Sequence, residues 1–549
     1  MRAHAPIMKY LTNILNKKEF LIIAIFVLIS AFLHLRQIGF PCMNSDEASF
    51  AYNAFSISET GRDEYGSFMP SRFLAFGENK LPVTIYSIVP FVALFGLNDI
   101  AVRLPFILIG ILSPLLFYIL SKKLFGNTNI ALIASFLASI SPWIQILSRH
   151  IHEDTIMLVI TIGILIFLAR LYDQFKMQTV LFLALITGIG LFTYHIGKFL
   201  ALFVLGWVIF LGIRNKVSIK KISTYVLILI IPMLLFLITE LIHPSTRVGN
   251  LLFTSNPGFT LQIEELRKEH DSRAIHNKLT QSISVITNQY LSYFSPEFLV
   301  TEGDLNRRFG EKGISPITPV EYLFVGIGLY FLFKRKEKYR FLILSLLLTA
   351  PLTATLSWQT QSLTRSYLMI IPLILIASYG LFHSITAVKH KYRLFYFLLL
   401  ICVLSYFSFL TWDYYFNHYT KHLDATTAWQ CGYKEMSEIV QREYNDYEQI
   451  VISKKLGQPY IFMLYNLNYS PKKYQSQAQL SDLDEYGFGQ VEKFDKFQFS
   501  FTSPTPNRKK TLYVGLPEDF NGTNITSADV DRVKINDTDV FWLYPKSTK

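Results

Sequence analysis

Asp46-Glu47-Ala48-Ser49-Phe50-Ala51-Tyr52 stands just beyond the first long apolar segment of the chain, which runs from Phe20 to about Phe40. That segment is long enough to cross a bilayer. Carboxylates so close to a membrane surface are costly to keep without a role, although a solvated loop also carries such pairs. A short head with Arg2, Lys9, Lys17 and Lys18 precedes the segment. The apolar run is too long for a cleaved signal peptide and reads as a retained first span.

Working outward, hydrophobic residues make up 51% of the 549 and charged residues only 17%. Soluble domains carry about a quarter charged residues, so the composition is that of a polytopic membrane protein. The formal charge of +12 is not gathered on one domain. It falls in short clusters between apolar segments: Lys122-Lys123, Arg214/Lys216/Lys220/Lys221, Lys334-Arg335-Lys336-Glu337-Lys338 and Lys389/Lys391/Arg393. This is the positive-inside pattern of membrane proteins, not a nucleic-acid face. Three cysteines, Cys42, Cys402 and Cys431, make neither a disulfide framework nor a metal-binding repeat. Cys42 and Cys431 fall outside the membrane in this reading, but no feature of the sequence pairs them.

Apolar segments lie near 20–38, 81–97, 104–121, 129–147, 154–171, 178–194, 197–213, 222–240, 317–334, 340–357, 367–386 and 393–412. If all crossed, the clusters at 122–123 and 216–221 would land outside. Segment 81–97 is short, opens on Leu81-Pro82 and is interrupted by Pro90. As an outward interfacial helix it leaves about 11 crossings and returns every basic cluster to the inside. The predicted architecture is all-α and polytopic over 1–412, with outward loops at 39–103 and 242–316. The remaining 413–549 read as a small outward α/β domain. Its helix is expected at 433–444, and its strands at Ile450–Ile452, Val491–Phe501, Leu512–Val514 and Val540–Leu543.

With this threading the charges gather at one face. The first loop holds Asp46, Glu47 and Lys80, and Arg103 opens the next span. The turn after 147 reads Ser148-Arg149-His150-Ile151-His152-Glu153-Asp154, and Arg365 sits in a short loop between spans. A transporter needs polar groups near the midplane. The segments here are almost free of charge at mid-span, whereas charges at the lipid–water boundary suit an enzyme acting on a membrane-anchored substrate.

Asp46-Glu47, Lys80-Leu81-Pro82, Phe95-Gly96, Ala101-Val102-Arg103-Leu104-Pro105, Ser141-Pro142-Trp143, Ser148-Arg149 and Glu153-Asp154 follow one another in order. This series resembles the membrane half of the GT-C glycosyltransferases. More narrowly it is similar to family 39, the protein O-mannosyltransferase and aminoarabinose-transferase group. The resemblance covers roughly 15–215 and remains compatible to about 412; over the tail, some bacterial relatives carry an outward domain. Where relatives often show two consecutive prolines after the lysine, this chain has Lys80-Leu81-Pro82.

The resemblance implies the GT-C fold, a polyprenyl-phosphate-linked sugar donor, and a protein, lipid or polysaccharide acceptor. It also implies an inverting transfer at the outer face of a cell membrane, with the bacterial plasma membrane favoured. Asp46 would be the base, and Glu47 would orient Asp46 or the acceptor, or simply solvate the loop. Glu153 and Asp154 would bind the acceptor or tune Asp46; their other reading is an acidic pair at a helix N-terminus. Lys80, Arg103, Arg149 and Arg365 would bind the donor phosphate, or else snorkel to lipid headgroups. His150, His152, Glu153 and Asp154 lack a recognised zinc spacing, and oxygen-rich magnesium or manganese sites leave little trace in sequence. This reading requires no cofactor and keeps a divalent metal as the alternative. The alternative function is a lipid-linked sugar flippase that breaks no bond.

Overall fold

Every one of the apolar segments is helical. The structure, a computed structural model, describes residues 16–244, 249, 252–269, 272–482, 489, 491–500 and 510–545. Among the described residues, 7 helices are long and apolar enough to cross a membrane: Lys17–Leu35, Asp99–Phe125, Glu153–Asp173, Ile196–Arg214, Ile219–Ile242, Tyr367–Ala387 and His390–Lys421. The other apolar helices are shorter, among them Pro82–Phe95, Thr128–Ile140, Met177–Leu191 and Arg340–Thr355. Proline accounts for two of these lengths. Ser141, forced out of the helical region before Pro142 (φ −62°, ψ 117°), ends Thr128–Ile140, and Pro351 divides Arg340–Thr355.

The chain forms two compact units. The first comprises Met1–Ile38, Phe106–Ile238 and Arg247–Asn417; the second comprises Gly39–Pro105, Thr239–Thr246 and His418–Lys549. The units therefore do not follow a boundary at 412. The first loop packs with the tail.

In the first unit, two helices approach so closely that only glycine fits. A Cβ on Gly328 of Pro319–Lys334 would lie 2.0 Å from the Ile376 carbonyl oxygen, and one on Gly380 of Ile370–Ala387 would lie 2.2 Å from that of Phe324. Small residues that bring helix backbones together are the usual packing device inside membranes. At one end of this bundle Asp173 accepts from Lys123 at 2.7 Å and from Lys338 at 2.5 Å. Two basic clusters placed on the same side by their sequence thus meet on one carboxylate.

In the second unit, the first loop supplies helix Ser45–Thr60 and a small hairpin, β1 (Phe73–Ala75) with β2 (Glu78–Lys80). The tail supplies β3 (Gln449–Ser453), β4 (Gln479–Leu480), β5 (Val491–Phe494), β6 (Phe497–Ser500), β7 (Thr511–Gly515), β8 (Asp531–Ile535) and β9 (Thr538–Tyr544). They form one sheet in the order β4-β5-β6-β3-β7-β9-β8, with β3 parallel to β6 and β7 and every other pair antiparallel. The helix expected at 433–444 is Tyr433–Glu443. Of the stretch Val491–Phe501, expected as one strand, residues 491–500 form a hairpin turning at Asp495, which adopts φ 48°, and Phe501 lies outside the described residues. Strand β8 was not expected; its exposed Arg532 and Lys534 hide its alternation.

Candidate active site

Helix Ser45–Thr60 is started by Asn44, whose Oδ1 accepts from the Glu47 backbone at 3.1 Å. Successive helix residues point about 100° apart, and the acidic pair is split accordingly. Glu47 turns inward to 1% exposure, and Arg103 donates to it through Nε at 2.9 Å and Nη2 at 2.8 Å. The same guanidinium also donates to the carbonyls of Pro41 at 2.8 Å and Cys42 at 3.3 Å. Asp46 turns outward, with its side chain 49% exposed. Lys80, at the end of β2, lies 3.6 Å from Asp46 Oδ1 and donates to the Asp46 carbonyl at 3.1 Å. Its ammonium sits 4.2 Å from the centre of the Phe50 ring, a contact that shields one side of the cation from water.

Two links fix this helix start to the tail within the second unit. Cys42 and Cys431 form a disulfide, and the Ser45 backbone N–H donates to Gln430 Oε1 at 2.9 Å. The bridge joins positions 389 residues apart, so spacing along the chain carried no sign of it.

The first unit holds Arg149, Glu153, Asp154 and Arg365. Arg149 is 4% exposed and donates to the carbonyls of Leu33, His34, Arg36 and Gln37. It thereby caps the C-terminus of helix Lys17–Leu35, where a cation complements the helix dipole. Asp154 is fully buried at the start of helix Glu153–Asp173; His152 Nδ1 lies 3.2 Å from its Oδ2 and 3.3 Å from its backbone nitrogen. His150 instead stacks on Phe309, with ring centres 5.6 Å apart. Among the described residues no three His, Cys, Asp or Glu side chains gather in metal-binding geometry.

Arg365 is half-buried and donates to Ser357 Oγ. Its loop is held by residues not singled out in the sequence. Asp304 Oδ2 accepts from the Leu363 backbone at 2.7 Å, and the Tyr293 hydroxyl accepts from that of Ser362 at 3.1 Å. Burial pushes the Asp304 carboxyl up to about 6, against the pull of the Asn306 and Leu363 backbone N–H groups and of Arg365. Gly303-Asp304 stood in a long polar loop, where nothing distinguishes an anchor from a solvated acid.

The sequence from 79 to 242 matches the family model described as dolichyl-phosphate-mannose-protein mannosyltransferase. This stretch includes Lys80, Arg103, Arg149, Glu153 and Asp154, and leaves out Asp46, Glu47 and Arg365. Among solved structures, the chain is similar to ArnT from Cupriavidus metallidurans in the apo state: 11% identity, TM-score 0.50, covering 96% of this chain and 99% of that one. It is also similar to the archaeal oligosaccharyltransferase AglB from Archaeoglobus fulgidus in complex with an inhibitory peptide and a dolichol-phosphate. There the identity is 12% and the TM-score 0.50, covering 82% of this chain and 63% of AglB, so the match spans less than two thirds of AglB. No curated protein matches the chain. The fold is that of a GT-C polytopic membrane protein with a small C-terminal sheet domain, as the sequence motifs implied.

Proposed function

We propose that this chain is an integral-membrane, inverting glycosyltransferase that moves a sugar from a polyprenyl phosphate to an acceptor hydroxyl or amine at the outer face of a bacterial plasma membrane. The observation that carries the reading is the exposed Asp46 carboxylate set beside Lys80 at a helix start locked by Glu47–Arg103. Asp46 takes the proton from the acceptor O–H or N–H as its lone pair attacks the sugar's anomeric carbon. The bond from that carbon to the phosphate oxygen breaks, and its electron pair leaves with the lipid phosphate.

Lys80 and Arg365 are the cations this reading assigns to the phosphate charge that develops. Arg103 and Arg149, whose guanidiniums are occupied by protein acceptors, hold the frame. Glu153 and Asp154 are assigned to the acceptor side. The Cys42–Cys431 bridge supports an outward placement of the first loop and tail, since disulfides persist in oxidising compartments.

The test is mass spectrometry of a membrane extract incubated with polyprenyl-phosphate sugar and either wild-type or Asp46→Asn protein. Loss of a general base predicts transfer slowed by about 10²–10⁴-fold. Equal transfer by both proteins would remove Asp46 from the mechanism.

A further inference from the structure

Lys80 ends a hairpin with only three residues in each strand, Phe73–Ala75 and Glu78–Lys80. In its register Phe73 stands opposite Lys80, and Leu74 opposite Asn79. The strands are joined by Phe76-Gly77, both in the left-handed region at φ 56° and 84°, as a two-residue hairpin turn of this kind requires. An isolated two-stranded hairpin is at best marginally stable in water. The place of Lys80 is therefore decided by what holds the hairpin from outside.

Part of that hold is apolar. The Phe73 ring packs on Tyr86 and the Phe76 ring on Tyr460, at 5.5 and 6.0 Å between centres. Such burial is non-directional, so it keeps the hairpin down without fixing its lateral position. The directional hold comes from residues 239–246, which belong to the same compact unit. Arg72, the residue before β1, donates through Nη2 to Glu240 Oε2 at 2.9 Å and to Thr239 Oγ1 at 3.2 Å. The side chain of Arg72 is 0% exposed and that of Glu240 21%, so water screens the pair poorly. The second strand is tied to the same segment, with Asn79 Nδ2 donating to the Pro244 carbonyl at 3.4 Å. One tie thus stands next to Phe73, the register partner of Lys80, and the other on the residue before Lys80.

We propose that Arg72 and Glu240 are positioning residues for Lys80: their ion pair fixes the hairpin so that the Lys80 ammonium stays beside Asp46, 3.6 Å from its Oδ1. The proposal rests on the assignment of Lys80 to the donor phosphate made above. Without the pair the hairpin keeps its apolar packing and loses its strongest directional tie. The ammonium then spreads over positions of which only a fraction meet the phosphate, and apparent affinity falls by that fraction.

The experiment is a double-mutant cycle on the purified full-length chain in detergent, titrated with undecaprenyl phosphate alone and scored per folded protein. Lys80→Ala removes a hydrogen bond from a charged group and should weaken binding by about 10–100-fold. Arg72→Met should weaken it by about tenfold. The variant carrying both changes should bind no more weakly than Lys80→Ala, because residues that act through one another do not add.

A merely structural role would lower the thermal midpoint of Arg72→Met and leave the affinity of its folded fraction unchanged, which would overturn the proposal. Full additivity of the two losses would also overturn it, since Arg72 would then act on the phosphate by its own charge. Where Arg72→Met does not fold, Arg72→Met/Glu240→Leu removes both charges of the pair and takes its place in the cycle. Unchanged affinity in Lys80→Ala would sink the phosphate role of Lys80 and the proposal with it. A full loss in Lys80→Ala beside an unaffected Arg72→Met would sink the positioning pair alone.

Discussion

Asp46 and Glu47 are neighbours of the same charge, yet the helix gives them opposite work. Glu47 and Arg103 are 1% and 3% exposed at their side chains and bond through two nitrogens at once. Removing one member of a buried pair strands the other charge in a poorly solvating site. Arg103→Met should therefore destabilise the protein by about 3–5 kcal/mol, read as a lowered thermal midpoint in detergent. The double variant Glu47→Leu/Arg103→Met should recover much of that loss, because no charge is then left unpaired. If Arg103→Met were as stable as wild type while donor affinity collapsed, the arginine would be a phosphate ligand and not a clamp. The residue types at 46, 47, 80 and 103 were legible in the sequence as a charged set. Which carboxylate would pair with which cation was not, because pairing depends on a helix start fixed by residues from the tail.

At the scale of elements, apolar length and proline placement were enough to locate the apolar helices of the membrane half, but not Ser45–Thr60, Pro257–Glu269 or Lys278–Ser292 in its polar loops. Nothing in that pattern, however, says how closely two helices approach. Gly326, Gly328 and Gly380 look alike in sequence, yet a Cβ on Gly326 would meet nothing within 4 Å. At Gly328 and Gly380 it would collide with a partner backbone. Backbone cannot yield as a side chain does, so overpacking there should cost at least the usual 1–3 kcal/mol or so. Gly328→Ala is expected to lower the thermal midpoint clearly, while Gly326→Ala leaves it in place. Similar midpoints for the two variants would mean that the helices can part without loss. The small sheet shows the opposite limit of legibility. Strands with continuous apolar runs, such as Leu512–Val514, were visible, whereas β8 was masked by the charges that protect an edge strand from unwanted pairing.

At the scale of the whole molecule, the threading makes one demand that contacts within each unit already meet in part. Basic clusters at 122–123 and 334–338 must share a side, and both reach Asp173. Cys42 and Cys431 must share the other, and they are bonded. A disulfide lies on the oxidising side of a membrane, whereas lysine and arginine clusters stay on the cytoplasmic side. Two unrelated chemistries therefore predict the same orientation. In intact cells carrying a Cys402→Ser chain, a membrane-impermeant thiol reagent should label Cys42 and Cys431 only after an impermeant reductant has opened the bridge. In a chain with Cys42, Cys402 and Cys431 all replaced by serine, Lys122→Cys or Lys336→Cys should label only once the membrane is permeabilised. Labelling of position 122 from outside would break this threading: either segment 81–97 crosses and Asp46 stays outside, or the first span runs the other way and Asp46 faces the cytoplasm. In the second case the proposed base would face a compartment in which the bridge beside it could not persist.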